Sequence, residues 1–205
     1  MQKKTFSLSG GSLNWIDGGI KSSFEDADVI VLEGGGDWNP ALYKQEPNAH
    51  TTFWYEARDR REMDLISSAT KAGKIVFGIC RGIQGLTIYN GGSLIQHINH
   101  PSQHKVISER GETYEFNSCH HQMCNPFDLP KEDYRVLAWA DNLSAIHLVE
   151  NNIDLKVDVE PEVLYYPKSR HLGAQGHPEW MSDTSEAVIK MNNYIDELLL
   201  TNTIR

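Results

Sequence analysis

The sequence predicts an α/β domain built on a largely parallel sheet, and three observations carry the prediction. Val29-Ile30-Val31-Leu32 is an apolar, β-branched run ending in Glu33 and three glycines, the pattern of a buried strand opening into a tight loop. Ile75-Val76-Phe77-Gly78-Ile79 is a second such run, and Cys80-Arg81-Gly82 turns it into a helical segment. Helical periodicity fills the stretch between the two runs and returns near the C-terminus, so strands and helices alternate.

The elements follow in order. Thr5 to Leu8 reads as a short strand, with Gly10-Gly11 and Gly18-Gly19 marking loops. After Val29–Leu32 a polar, proline-containing loop runs to about His50. Residues 55–72 read as a helix with Met63, Ile66 and Ala69 on its inner face, and with Glu56/Arg60 and Arg58/Glu62 as outward i,i+4 pairs. Gly73 is placed to end it as a C′ residue. A second helix spans Ile83 to Tyr89 and stops by Gly91-Gly92. Strands are expected near Tyr114–Phe116, Arg135–Trp139, Ala145–Val149 and Leu172–Gln175. Asp183 is the expected N-cap of a last helix to about Leu200, whose inner face is Val188, Met191, Ile195 and Leu198.

A chain of 205 residues with 40% hydrophobic and 23% charged residues can bury its own core, and we read it as one domain, residues 1–205. Its formal charge of −9 repels phosphate backbones, so no nucleic-acid partner is expected. No apolar core follows the first five residues as in a leader, and no run approaches a membrane span. A cytoplasmic location and no membrane partner are the expectation. Three cysteines, Cys80, Cys119 and Cys124, do not make a disulfide framework.

Gly78-Ile79-Cys80-Arg81-Gly82 is G-x-C-x-G between a strand and a helix, the thiol version of a nucleophile elbow. The glycines let two backbones pass while the middle residue adopts a strained conformation. The following helix N-terminus favours thiolate, and the Arg81 N–H is placed to meet an oxyanion. The competing reading is a buried structural cysteine, which the two glycines and flanking elements disfavour. A cysteine nucleophile needs a base. His177 follows a short strand and precedes Pro178-Glu179, so in a parallel sheet it reaches the same edge as Cys80. Glu179 would orient its ring. The competing reading is a loop His-Pro-Glu with no role.

These motifs together resemble the class I glutamine amidotransferase-like superfamily, and most nearly its γ-glutamyl hydrolase branch, which includes γ-glutamyl-γ-aminobutyrate hydrolase. The resemblance is carried in order by Gly34-Gly35-Gly36-Asp37-Trp38-Asn39-Pro40, by Arg58-Asp59 with Glu62, by Gly78 to Gln84, by Gly91 to Gln96, by Asn117-Ser118-Cys119-His120-His121-Gln122, and by Gly176 to Trp180. It implies an open, mostly parallel sheet with helices on both faces. It implies Cys80 as nucleophile, His177 as base and Glu179 as orienting acid. Backbone N–H groups of Gly35 and Arg81 would hold the oxyanion, and Gln84, Asn117, Ser118 and His120 the glutamyl group. Against the family pattern, the N-terminal strand and helix look trimmed. That exposes a sheet edge for a second copy or a synthase partner to cover.

Other chemistry-bearing residues have bland readings. His97, His100 and His104 are interrupted by Pro101 and read as a polar loop near the site rim. Cys119 and Cys124 read as packed or loop thiols, and Trp38 and Trp180 as walls of the pocket. No metal and no cofactor is assigned. The expected function is a cysteine hydrolase acting on a small γ-glutamyl amide. The alternatives are a glutaminase subunit feeding ammonia to a separate synthase, and a non-enzymatic binding protein. Arg81 after the cysteine favours the hydrolase.

Overall fold

Central strands buried on both faces set the architecture of the computed structural model, which describes residues 4–8 and 19–204. The strands are β1 (Lys4–Leu8), β2 (Gly19–Lys21), β3 (Val29–Leu32), β4 (Ile75–Ile79), β5 (Ser93–Ile95), β6 (His97–Ile98), β7 (Gln103–Ser108), β8 (Thr113–Asn117), β9 (Met123–Asn125), β10 (Arg135–Ala140), β11 (His147–Leu148), β12 (Pro161–Tyr166) and β13 (His171–Ala174). Among the described residues, three α-helices join them: α1 (Glu56–Lys71), α2 (Arg81–Tyr89) and α3 (Glu186–Thr201). Nine strands form one sheet in the order β2-β1-β3-β4-β13-β12-β10-β7-β8. Pairings from β2 to β13 are parallel and those from β13 to β8 antiparallel. Only β12 and β7 therefore run against the other seven strands, and the sheet is mostly parallel as expected. Short ribbons β5–β9 and β6–β11 stand apart from it.

The two faces are covered separately. Val29, Val31, Ile75 and Phe77 point to the face where α3 lays down Val188, Met191, Ile195 and Leu198. Ile30, Leu32 and Val76 point to the other, against Ile66 and Ala69 of α1 and Ile83 and Leu86 of α2. Period-two strands meeting period-3.6 helices explain both sets. Gly73 ends α1 with φ +68°, as its position predicts.

Several expectations are corrected. Ser185, not Asp183, caps α3, its side chain accepting from the Val188 N–H. The Arg58/Glu62 pair is not outward. Glu62 is buried, and Arg81 reaches both it and Asp59 from beneath the elbow. The strand expected over Ala145–Val149 is only β11, while β7 and β12 were not anticipated. The strand expected near Thr5 is β1. The N-terminal strand expected to be trimmed corresponds to β1, five residues long and paired with β3, while the expectation for the helix and the Gly10-Gly11 loop falls on residues 9–18, outside the described residues. No described helix is long and apolar enough to cross a membrane.

Candidate active site

The turn from β4 into α2 puts Cys80 at φ +51°, ψ −107°, outside the regions L-residues ordinarily occupy. Such a conformation costs of order 1–3 kcal/mol and persists only where its surroundings enforce it. A Cβ on Gly78 would lie 2.4 Å from the Ile83 nitrogen, and one on Gly82 would lie 2.3 Å from the Leu32 carbonyl oxygen. Both obstacles are backbone, so the two glycines are required for the crossing. Behind the turn, Trp38 donates its indole N–H to the Arg81 carbonyl at 2.8 Å and stacks under the Arg81 guanidinium. Trp38 is thus a fully buried support rather than a pocket wall.

His177 follows β13, the parallel neighbour of β4. A carboxylate only accepts, so His177 Nδ1 donates to Glu179 Oε1 at 2.6 Å and Nε2 is left as the basic nitrogen. Three further contacts fix the ring. Trp180 stacks on it at 3.8 Å with planes 4° apart. Asn117 accepts from the His177 N–H and donates to its carbonyl, each at 2.8 Å. Burial disfavours the charged ring, but Glu179 and then Cys119 outweigh it, and the His177 pKa is raised.

Cys119 is the residue that sequence reasoning missed. Its Sγ lies 3.0 Å from His177 Nε2, and the Cys80 and Cys119 sulfurs and a His177 nitrogen all lie within 4.8 Å of one another. Its hydrogen bond with Cys80, aided by His177, brings the Cys119 thiol down to about 6. The same bond, with burial, pushes Cys80 well above the usual thiol range, against the favourable Arg81 N–H. The expectation of a lowered Cys80 pKa is therefore corrected. Two thiols share one imidazole, and the first negative charge settles on the less buried of them. Cys119 adjoins His120 in a segment already singled out, yet only the folded loop brings it to His177. Cys124, by contrast, is a packed thiol donating to Gln175.

These groups line a cavity of about 560 Å³, together with Gly34, Gly35, Gln84, His120, Gln122 and Trp180. Gln84 donates to the Gln122 carbonyl at 3.0 Å. Asn117 and Ser118 do not line it. Asn117 is spent on the His177 backbone, and Ser118 is buried beside His100. Another missed pair, Asp37 and His121 at 2.8 Å, ties the glycine loop to the 117–122 loop. Arg58 donates to the Gly34 carbonyl at 2.9 Å and braces that loop from outside.

Comparisons with known proteins give the family and the fold. A family profile described as Peptidase C26 matches residues 17–153. Glutamine amidotransferase-like protein YvdE of Lactococcus lactis is 35% identical over 126 residues, covering 51% of this chain and 53% of that protein. Protein NtpR of Enterococcus hirae is 33% identical over 122 residues, covering 48% of this chain and 51% of that one. The chain thus spans about half the length of these relatives. Among solved structures, PurLQS from Thermotoga maritima superposes with TM-score 0.61 at 15% identity, over 95% of this chain and all of that one. A glutamine amidotransferase from Thermotoga maritima gives 0.53 at 15% identity, over 98% and 86%. At such identity the structures speak for the fold.

Proposed function

Because this chain belongs to the peptidase C26 family, we propose that it is a cysteine-dependent hydrolase of the glutamine amidotransferase type that cleaves a γ-glutamyl amide. The observation that carries this reading is one cavity holding Cys80 on its strained turn, His177 and Glu179. Cys80 passes its proton to the Cys119 thiolate, which has already given its own to His177 Nε2, and the Cys80 thiolate attacks the γ-carbonyl carbon. The backbone N–H groups of Arg81 and Gly35 receive the oxyanion. As the C–N bond breaks, His177 returns the proton to the leaving amine and a γ-glutamyl thioester remains. His177 then takes a proton from water, the hydroxide attacks the thioester, and glutamate leaves as Cys80 is reprotonated. Every step balances without metal or cofactor. Glu179 holds the imidazolium, and Gln84 and His120 stand where the glutamyl group would sit.

A panel of γ-glutamyl amides with glutamine included, followed for glutamate and for ammonia, tests the reading. Release of glutamate from amides other than glutamine supports the hydrolase. Turnover of glutamine alone favours the glutaminase that supplies a separate synthase, and no turnover of any member leaves the binding-protein reading.

A further inference from the structure

Beside the thiols, the antiparallel half of the sheet encloses a cluster of which the proposed reaction uses only His120. Glu160 and Glu162 beside and on β12, His104 on β7, His100 before it and His120 from the 117–122 loop converge in the interior. Glu160 and Glu162 are 0% and 1% exposed. Glu162 Oε1 lies 3.3 Å from His104 Nε2, 3.7 Å from His100 Nε2 and 3.9 Å from His120 Nε2. Buried charges of this kind need partners. Yet the Nε2 atoms of His100, His104 and His120 and both Glu162 oxygens make no hydrogen bond among the described residues. They stand close without alignment to one another.

The tautomer of His120 sharpens the point. Its Nδ1 lies 3.0 Å from the Gln122 carbonyl oxygen. A carbonyl only accepts, so Nδ1 carries the hydrogen, and the neutral ring turns the Nε2 lone pair toward a carboxylate. Two acceptors face each other stably only across a shared proton, a bridging water or a cation. Zinc–nitrogen bonds of about 2.0–2.1 Å in tetrahedral geometry place neighbouring ligand atoms about 3.3 Å apart, close to the spacings observed. The relevant atoms of His100, His120 and Glu162 all lie within 4.8 Å of one another.

We propose that His100, His120 and Glu162 bind a divalent transition metal of zinc type, with His104 standing beside Glu162. Imidazole donors select such an ion over calcium or magnesium. Glu160 supports the set from outside: its Oε1 is held by His147 at 2.7 Å, and its Oε2 lies 3.1 Å from His100 Nε2. Burial of all the donors makes the site structural. The ion would pin the loop carrying Cys119 and Gln122 to strands β7 and β12. The inference shares His120 with the hydrolase reading, but metal content and spectra test it without any turnover.

The test uses the full chain with Cys80→Ser and Cys119→Ser, which removes the thiol group that could also hold an ion. Metal content is measured as purified and after unfolding and refolding with a chelator, followed by titration with zinc chloride and, separately, cobalt chloride. One zinc per chain, a higher melting temperature on binding, and a cobalt spectrum without thiolate charge transfer are expected. Glu162→Gln and His100→Ala should each weaken zinc binding at least tenfold. A folded protein that takes up no stoichiometric zinc overturns the proposal. So does zinc binding unchanged in both variants, or a thiolate band in the cobalt spectrum. Should either variant fail to fold, zinc stoichiometry and the cobalt spectrum of the double-serine protein decide.

Discussion

At Cys80 the backbone and the neighbouring thiol act in opposite directions. The helix N-terminus and the Arg81 N–H favour thiolate, while Cys119 takes the charge first. Cys80→Ala should abolish turnover with the fold intact, and a glutamine-like electrophile should leave its adduct on Cys80 by mass spectrometry. His177→Ala should cost nearly as much, because residues acting as a unit are non-additive, and Glu179→Gln should cost less. Near-normal kcat in His177→Ala would remove that residue from the mechanism. Cys119 allows a sharper expectation. Its negative charge raises the Cys80 pKa, so Cys119→Ala should move Cys80 ionisation to lower pH. It also removes a contact that raises the His177 pKa, so the imidazole should lose its proton at lower pH too. The rate of iodoacetamide labelling at Cys80, followed against pH by peptide mass spectrometry, reads the first shift. An unmoved midpoint would mean that the two thiols do not interact. In the unmodified chain the small reagent should label Cys119 first, since it is the more exposed and more acidic thiol.

The elbow as an element was legible because its glycines have one job each, and that job depends only on backbone crossing. Glycine to alanine in an exposed helix stabilises by up to about 1 kcal/mol. At Gly82 the sign should reverse. A methyl group there meets the Leu32 carbonyl oxygen at 2.3 Å, and overpacking against backbone costs about 1–3 kcal/mol. Urea denaturation of Gly82→Ala should show a lower midpoint with an unchanged slope, and turnover should fall with the displaced thiol. A midpoint equal to or above that of the parent would contradict the crossing. The helix caps were less legible. Asp183 and Ser185 are both good N-cap types two residues apart, and sequence gives no way to choose which one meets the first free N–H. The outward reading of Glu62 failed for a different reason. The i,i+4 rule finds its partner Arg58, but not Arg81, which arrives from another helix and draws the carboxylate inward.

Across the whole molecule, the sheet divides into a readable half and an unreadable one. Strands β3, β4 and β13 are apolar runs bounded by glycine or by turns of the proposed active site, and their C-terminal ends supply Gly34, Cys80 and His177 side by side. The antiparallel half hides Glu162 in β12 and His104 in β7, so interior positions look polar and hydrophobic periodicity fails there. The same polar interior keeps His100 and His120 from being recognised together, since they sit on separate loops. That division has a consequence for assembly. All groups of the proposed active site, including the 117–122 loop that closes it, come from one chain, and the fold neighbours show nothing about which partner this chain keeps. Turnover per chain should therefore stay constant on dilution through the range where sedimentation shows any oligomer dissociating, and should need no added synthase. A specific activity that falls in step with dissociation would place part of the site on a second copy, and the sheet edge at β2 or β8 would be the first surface to mutate.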